Sequence, residues 1–311
     1  MKRKKTKFIF IVLTLLLACI LSACGESSGK TSGSSADSGT RTYHGEDGDV
    51  QVPAKPKRVA VLAHIYVGNV LKLGITPIAV NEWVKGNKFF GDKLENTEVV
   101  AEGSIEKLVE LEPDLIIAFS SDKNLKKYSE IAPTVALTNT EYDYLQQHIE
   151  IGKIVGKEKE AQEWVEEWNE KAEAEKKKVR AAIGEDVTVT VLETMGKETY
   201  IYGKNWGRGT EIIYQALGIQ APDKVEKDVF GPGYKSISTE LIPEYAGDIM
   251  FVGTGDETGK GSFMDTSVWK EIPAVQNNKV IEFDSESFWF NDAISLENQM
   301  EFIVNELTKA K

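Results

Sequence analysis

The sequence predicts an α/β protein of two Rossmann-like lobes joined by one long rigid helix, with a ligand cleft between the lobes. Three observations lead there. Apolar, β-type runs alternate with helical stretches over most of the 311 residues. A single stretch free of glycine and proline, Glu158–Ile183, lies near the middle of the chain. On either side of it the same two sequence patterns recur in the same order.

The chain opens with five positive charges, Lys2, Arg3, Lys4, Lys5 and Lys7, followed by the apolar run Phe8–Leu21. That run ends in Leu21-Ser22-Ala23-Cys24, after which polar residues take over. A basic segment, a short apolar segment and small residues before a cut describe a secretory signal peptide over residues 1–23, too short to serve as a spanning helix. Leu-Ser-Ala-Cys is similar to the lipobox of bacterial lipoproteins. That resemblance makes Cys24 the expected lipidation site and the outer face of a cell membrane the expected location. The other cysteine, Cys19, leaves with the signal, so the mature chain has neither a disulfide nor a thiol nucleophile. Loss of the five positive charges takes the formal charge from −12 to −17. Such an acidic chain disfavours nucleic acid and, without a locally basic cleft, a multiply anionic ligand.

Residues 24–42 are mostly Gly, Ser and Thr with scattered charge, which predicts a flexible tether. Residues 43–157 form the expected N-terminal lobe and 184–311 the C-terminal lobe. Candidate strands are Arg58–Leu62, Ile75–Val80, Asp114–Ala118 and Thr134–Leu137 in the first. Those of the second are Val187–Glu193, Thr199–Tyr202, Ile249–Val252 and Val280–Phe283. The connecting helix, 158–183, carries Ala161, Trp164, Val165, Trp168, Ala172 and Val179 at helical spacing, and would run about 39 Å at 1.5 Å per residue. Leu73-Gly74-Ile75 before it is echoed by Leu217-Gly218-Ile219 after it. In both halves a helix should end at the glycine and a strand should follow. Glu106, seven residues and Asp114 before an apolar run are likewise echoed by Glu240 and Asp248. Two lobes of similar plan follow, and ligand belongs in the cleft where strand ends and loops converge.

Together these features resemble the siderophore- and cobalamin-type solute-binding proteins of ABC importers, whose two lobes share one rigid helix. The strings that carry the resemblance are Val52-Pro53-Ala54-Lys55-Pro56-Lys57-Arg58-Val59, Leu111-Glu112-Pro113-Asp114-Leu115-Ile116 and Ile131-Ala132-Pro133-Thr134-Val135, in that order. A narrower match is Tyr200-Ile201-Tyr202-Gly203-Lys204-Asn205-Trp206-Gly207-Arg208-Gly209, which looks like the ligand loop of Gram-positive receptors for ferric hydroxamate siderophores. Ser287-Phe288-Trp289-Phe290-Asn291-Asp292 looks like their second aromatic loop. The resemblance implies a monomeric extracellular lipoprotein of a Gram-positive cell that delivers a ferric siderophore to ABC permease subunits. It implies that Trp206, Arg208 and Trp289 line the cleft, with Tyr200 and Tyr202 close by. It also implies that Glu106 and Glu240, one on each lobe, dock into arginine pockets of the permease. Acids in the first turn of a helix also offset its macrodipole, and the two roles can coexist.

The residue types suit that ligand. A ferric trihydroxamate saturates its iron with six oxygens, so the protein supplies no metal ligand and needs no cofactor of its own. It supplies indole faces for the apolar linkers and a guanidinium fork for the oxygens. Trp206 and Arg208 sit among Gly203, Gly207 and Gly209, which permit close approach. Arg208 is the only arginine after Arg180. Core packing for Trp206, a surface ion pair for Arg208 and burial of Trp289 between Phe288 and Phe290 are the plainer alternatives. Trp83, Phe89 and Phe90, near Gly86, form a second aromatic cluster that can face the cleft, as can His64 after the first strand.

Direct metal capture is disfavoured because His44, His64 and His148 lack metal-type spacing. An enzyme is disfavoured because there is no nucleophile elbow, no P-loop and no mature cysteine nucleophile. A catecholate receptor would need a basic patch for its polyanionic complex. Haem and cobalamin also suit an aromatic cleft and remain alternatives.

Overall fold

Two five-stranded sheets carry the two lobes, and an antiparallel hairpin precedes them. The computed structural model describes residues 39–139, 141–195, 198–255 and 262–309. The expected signal peptide, Cys24 and most of the expected tether lie outside the described residues.

The hairpin pairs β1 (Thr40–Gly45) with β2 (Gly48–Pro53), so residues 40–42, expected at the end of the tether, belong to a strand. Cross-strand pairing holds Thr40, Arg41 and Thr42, and the Arg41 guanidinium donates to the Ile154 carbonyl at 2.5 Å. The first sheet is formed by β3 (Val59–Val61), β4 (Ala79–Asn81), β5 (Glu98–Val100), β6 (Leu115–Phe119) and β7 (Thr134–Leu137). Its order is β5-β4-β3-β6-β7 and every pair is parallel. A parallel sheet is covered on both faces, and Val59, Ala60 and Val61 are accordingly all buried.

The second sheet is mixed rather than purely doubly wound. Strands β8 (Val189–Met195), β9 (Glu198–Tyr202), β10 (Tyr234–Ile237), β11 (Ile249–Thr254) and β12 (Val280–Asp284) lie in the order β10-β9-β8-β11-β12. Strands β8, β11 and β12 pair in parallel, β9 pairs antiparallel with both β8 and β10, and β9 is thus the one strand that runs against the others. The hairpin from β8 into β9 turns the chain back towards the loop that carries Trp206.

The sequence repeat has a physical basis. Gly74 and Gly218 take φ of 78° and 63°, the left-handed turn expected at a helix end. After Gly74 the strand begins at Ala79 rather than Ile75, and after Gly218 only a bridge from Gln220 to Thr188 forms. Asp114 accepts the backbone N–H groups of Lys57 and Arg58, just before β3, at 2.7 and 2.9 Å. Asp248 accepts the N–H and hydroxyl of Thr188, just before β8, at 2.9 and 2.8 Å. In both lobes the aspartate ties the entry of the central strand to its parallel neighbour.

The helix Glu158–Ile183 spans the predicted 26 residues and buries Ala161, Trp164, Trp168, Ala172 and Val179. Each indole buries roughly 150–250 Å², on the order of 4–6 kcal/mol of gross burial free energy. The Trp164 indole donates to Glu297 at 2.7 Å, fixing the helix to the last one, Ala293–Lys309. That last segment serves both lobes. Phe290 and Ile294 enter the core of the first, whereas Phe288, Ala293, Leu296 and Met300 enter that of the second.

Candidate functional site

A cleft of about 260 Å³, open to solvent, lies between the lobes. The first lobe contributes His64, Ile65, Trp83 and Asn139; the second contributes Met195, Asn205, Trp206, Gly207, Arg208, Trp289 and Asn291. Trp206, Arg208 and Trp289 are therefore brought together in one cleft. So are Trp83 and His64. Phe90 is buried in the first-lobe core and Phe89 packs on Phe288 at 5.8 Å, so neither joins Trp83 at the cleft.

The second-lobe loop owes its shape to left-handed backbone. Asn205, Gly207, Arg208 and Gly209 have φ of 76°, 65°, 58° and 77°. For arginine this conformation costs on the order of 1 kcal/mol, and it is held by packing. The Arg208 N–H donates to the Phe288 carbonyl, and a Cβ on Gly207 would fall 2.4 Å from the Trp289 carbonyl oxygen. Glu211, fully buried, accepts the Gly207 N–H at 3.0 Å and the Asn291 side chain at 3.2 Å. Burial raises the Glu211 carboxyl above its ordinary range, only partly offset by these bonds. The loop is thus pinned to the second aromatic loop, whose residues alternate. Phe288 and Phe290 point into the two cores, and Trp289 between them is half-buried at the cleft.

Arg208 is oriented from behind. Its Nε donates to Glu193 at 3.1 Å and one Nη to the Trp206 carbonyl at 3.1 Å. Its guanidinium carbon lies 4.4 Å from the Tyr202 ring centre and 5.6 Å from that of Trp289. Glu193, on β8 and fully buried, also accepts the Tyr202 hydroxyl at 3.1 Å and the Trp289 indole N–H at 2.9 Å. Tyr202 therefore stands behind Arg208 and is not among the residues that line the cleft. Its strand is buried on that face, and burial pushes the phenol well above its ordinary range. Tyr200 is also absent from the lining. Its hydroxyl donates to Glu198 at 2.7 Å and its ring packs on Tyr202 and Tyr234.

Trp206 packs edge-on to Tyr234 at 4.8 Å. Trp83, 53 % exposed, approaches Trp289 to 5.9 Å across the cleft. His64 sits among Trp83, Phe119 and Phe290, with ring centres 5.4–6.2 Å apart, and burial pushes its imidazole down to about 4. Among the described residues no group of three His, Cys, Asp or Glu is arranged to hold a metal ion. Arg208 is the only ordinarily charged side chain among the residues that line this cleft, and its charge is matched by Glu193. Sequence reasoning missed Glu193, Met195, Asn139 and Asn205. A glutamate inside the apolar run of β8 was the available signal, since a charge in a central strand requires a partner.

The family model of the periplasmic binding proteins matches residues 59–287. This chain belongs to that family. The iron(3+)-hydroxamate-binding protein FhuD of Bacillus subtilis is 41% identical over 303 residues, covering 95% of this periplasmic binding protein and 96% of the relative. The iron(3+)-hydroxamate-binding protein YxeB of the same organism is 35% identical, covering 98% of each chain. Among solved structures, FhuD2 from Staphylococcus aureus with bound ferrioxamine B superposes with a TM-score of 0.79 at 35% identity. That alignment covers 82% of this periplasmic binding protein and 99% of the solved chain.

The expected docking residues are not among those that line the cleft. Glu106 is exposed in the first turn of the helix Ile105–Glu110. Glu240 is exposed in the turn Thr239–Leu241, its carboxyl held below the ordinary range by its own N–H and Ser238.

Proposed function

We propose that this protein captures ferric hydroxamate siderophores of the ferrioxamine or ferrichrome type and delivers them to an ABC importer. The observation that carries the reading is an aromatic cleft with no net charge. Three indoles offer apolar faces, one arginine offers donors, and Glu193 balances that arginine. A ferric trihydroxamate presents the matching surface: apolar linkers, outward oxygens and an overall charge of zero or slightly positive. The two relatives named for iron(3+)-hydroxamate binding support the reading. Trp206, Arg208 and Trp289 are the proposed contacts, joined by Trp83 and His64. Iron is cargo here and keeps its hydroxamate ligands throughout.

The protein would act as a monomer and a carrier, with no chemistry on the ligand. Lipid on Cys24 and the following tether would hold it at the outer face of a Gram-positive cell membrane, beside its permease. Among the described residues no helix is long and apolar enough to cross a membrane. Tryptophan-fluorescence titration of a form beginning at Gly25 tests the ligand class. Ferrioxamine B and ferrichrome should quench at submicromolar concentration. Equal or tighter quenching by a ferric tricatecholate or by haem would sink the assignment.

A further inference from the structure

We propose that Glu193 sets the charge selectivity of the cleft, cancelling Arg208 so that neutral or cationic ferric chelates enter and polyanionic ones do not. The inference rests on the hydroxamate reading of the cleft and adds the residue that enforces it.

Glu193 has no path to the ligand. It is fully buried in β8, and both oxygens are engaged: Oε1 by the Trp289 indole, Oε2 by the Tyr202 hydroxyl and by Arg208. Arg208 stands between it and the cleft, with its side chain 14 % exposed. Two of the five N–H donors of the fork go to Glu193 and the Trp206 carbonyl. The remainder, without partners among the described residues, are left for a ligand. A neutral amide at position 193 would still offer an oxygen to the Trp289 indole. What the carboxylate adds is a second acceptor, which takes the Arg208 Nε and the Tyr202 hydroxyl, and a negative charge, whose burial in a central strand is costly unless it is paired.

Its use follows from the lining. Ile65, Trp83, Met195, Trp206, Gly207, Trp289 and the asparagines carry no charge, and His64 is held neutral by burial near pH 7. Without Glu193, the cleft would hold a guanidinium that no other residue lining it balances and would attract anions such as ferric citrate or a ferric tricatecholate. With it, Arg208 remains a hydrogen-bond donor whose field is cancelled at its base. Glu193 is thus a positioning residue for Arg208 and Trp289, and also the determinant that separates ligands by charge.

The test measures binding of ferrioxamine B, ferric citrate and a ferric tricatecholate to the parent, Glu193→Gln, Glu193→Gln/Arg208→Gln and Met195→Lys, at low and high salt. Met195, 42 % exposed at the cleft, lets a positive charge be added at a second position; its sulfur also accepts the Tyr202 hydroxyl at 3.9 Å, so a thermal melt checks that the Glu193–Arg208 pair is kept. Glu193→Gln and Met195→Lys should each bind the anionic chelates about tenfold or more tighter than the parent at low salt, a gain that salt removes. The double variant, with both charges gone, should reject them again. If Glu193→Gln weakens all three ligands alike and Met195→Lys gains nothing for anions, charge selection is refuted and Glu193 is structural only. A parent that ignores ferrioxamine B refutes the hydroxamate reading instead, while the anion comparison still decides the role of Glu193.

Discussion

The indole nitrogen of Trp206 lies so close over the Cα of Gly233 that a Cβ placed there would fall 1.6 Å from it. Gly233 also has φ of 90°, a conformation that costs a side-chain-bearing residue on the order of 1 kcal/mol. The glycine is thus the floor on which one wall of the cleft rests. Gly233→Ala should displace Trp206 from its edge-on packing with Tyr234, lowering ligand affinity about tenfold while the protein remains folded. Calorimetric titration with ferrioxamine B, beside a thermal melt, checks both halves. Unchanged affinity would mean that Trp206 does not hold the ligand in this position.

Arg208 and Trp206 should lose affinity for different reasons. Arg208→Ala removes charged hydrogen bonds worth about 1.5–3 kcal/mol each and leaves the Glu193 carboxylate buried without its ion pair. It should therefore lower both affinity, by about tenfold to a hundredfold, and melting temperature. Trp206→Ala removes a half-buried face and should lower affinity with a smaller loss of stability. Equilibrium dialysis avoids relying on the deleted fluorophore. Parent-like binding in both variants would remove these residues from the site.

Acid should weaken the fold through two histidines. Burial pushes His64 and His148 down to about 4 from an ordinary 6.5, with Lys72 adding to the effect at His148. Between those values the unfolded chain binds protons that the folded chain refuses, so stability is complete above pH 6.5 and falls as pH drops towards 4. Asp292 acts oppositely: burial raises it from 3.8 to about 6, so the folded chain gains a proton first in that window. Glu211, also raised by burial, acts in the same sense as Asp292, so the histidine contribution is read by difference. Urea unfolding of the parent and of His64→Gln at pH 7 and pH 5 should show the variant losing less stability, or gaining more, than the parent as pH falls.

Legibility followed exposure and periodicity. The Glu158–Ile183 helix was readable because 26 residues without a breaker carry an apolar stripe of one period. Trp206 and Arg208 were readable because glycines surround them in a loop that packing alone does not explain. Glu193 was not, because its meaning depends on β8 being central, and strand order is a long-range property. The same limit hid β5 and β10, each a short strand recognisable only by its neighbour. The side that Tyr202 takes was not readable, because alternation along β9 sets its face relative to Arg208, and the ring lies behind the guanidinium.

Gly68 reverses an ordinary rule. Alanine for glycine inside a helix usually stabilises by about 0.5–1 kcal/mol, and Gly68 lies in the helix Val67–Lys72. A Cβ there, however, would fall 1.6 Å from Asp292 Oδ1. Asp292 is buried and held by the Ser295 N–H at 3.0 Å and hydroxyl at 2.8 Å, so it cannot swing aside. Gly68→Ala should destabilise by about 3 kcal/mol, as overpacking does, with a matching drop in the denaturant midpoint. A neutral result would show that the last helix can shift away from the first lobe.

Glu106 and Glu240 separate delivery from capture. Both are exposed first-turn acids, one on each lobe, and neither forms an ion pair among the described residues. If they serve only the helix dipole, neutralising them costs about 0.3–1 kcal/mol of stability and nothing else. If they seat the protein on its permease, reversing their charge abolishes transport while the cleft stays intact. The expected result for Glu106→Lys/Glu240→Lys is ferrioxamine B binding within about twofold of the parent, since surface changes remote from a site perturb it little. Uptake of radioiron-loaded ferrioxamine B by cells that carry the variant as their sole receptor should fall to background. Gln substitutions at both positions should reduce uptake less than Lys, because they remove attraction without adding repulsion to an arginine pocket. Normal uptake by the double lysine variant would assign these glutamates to helix stability alone.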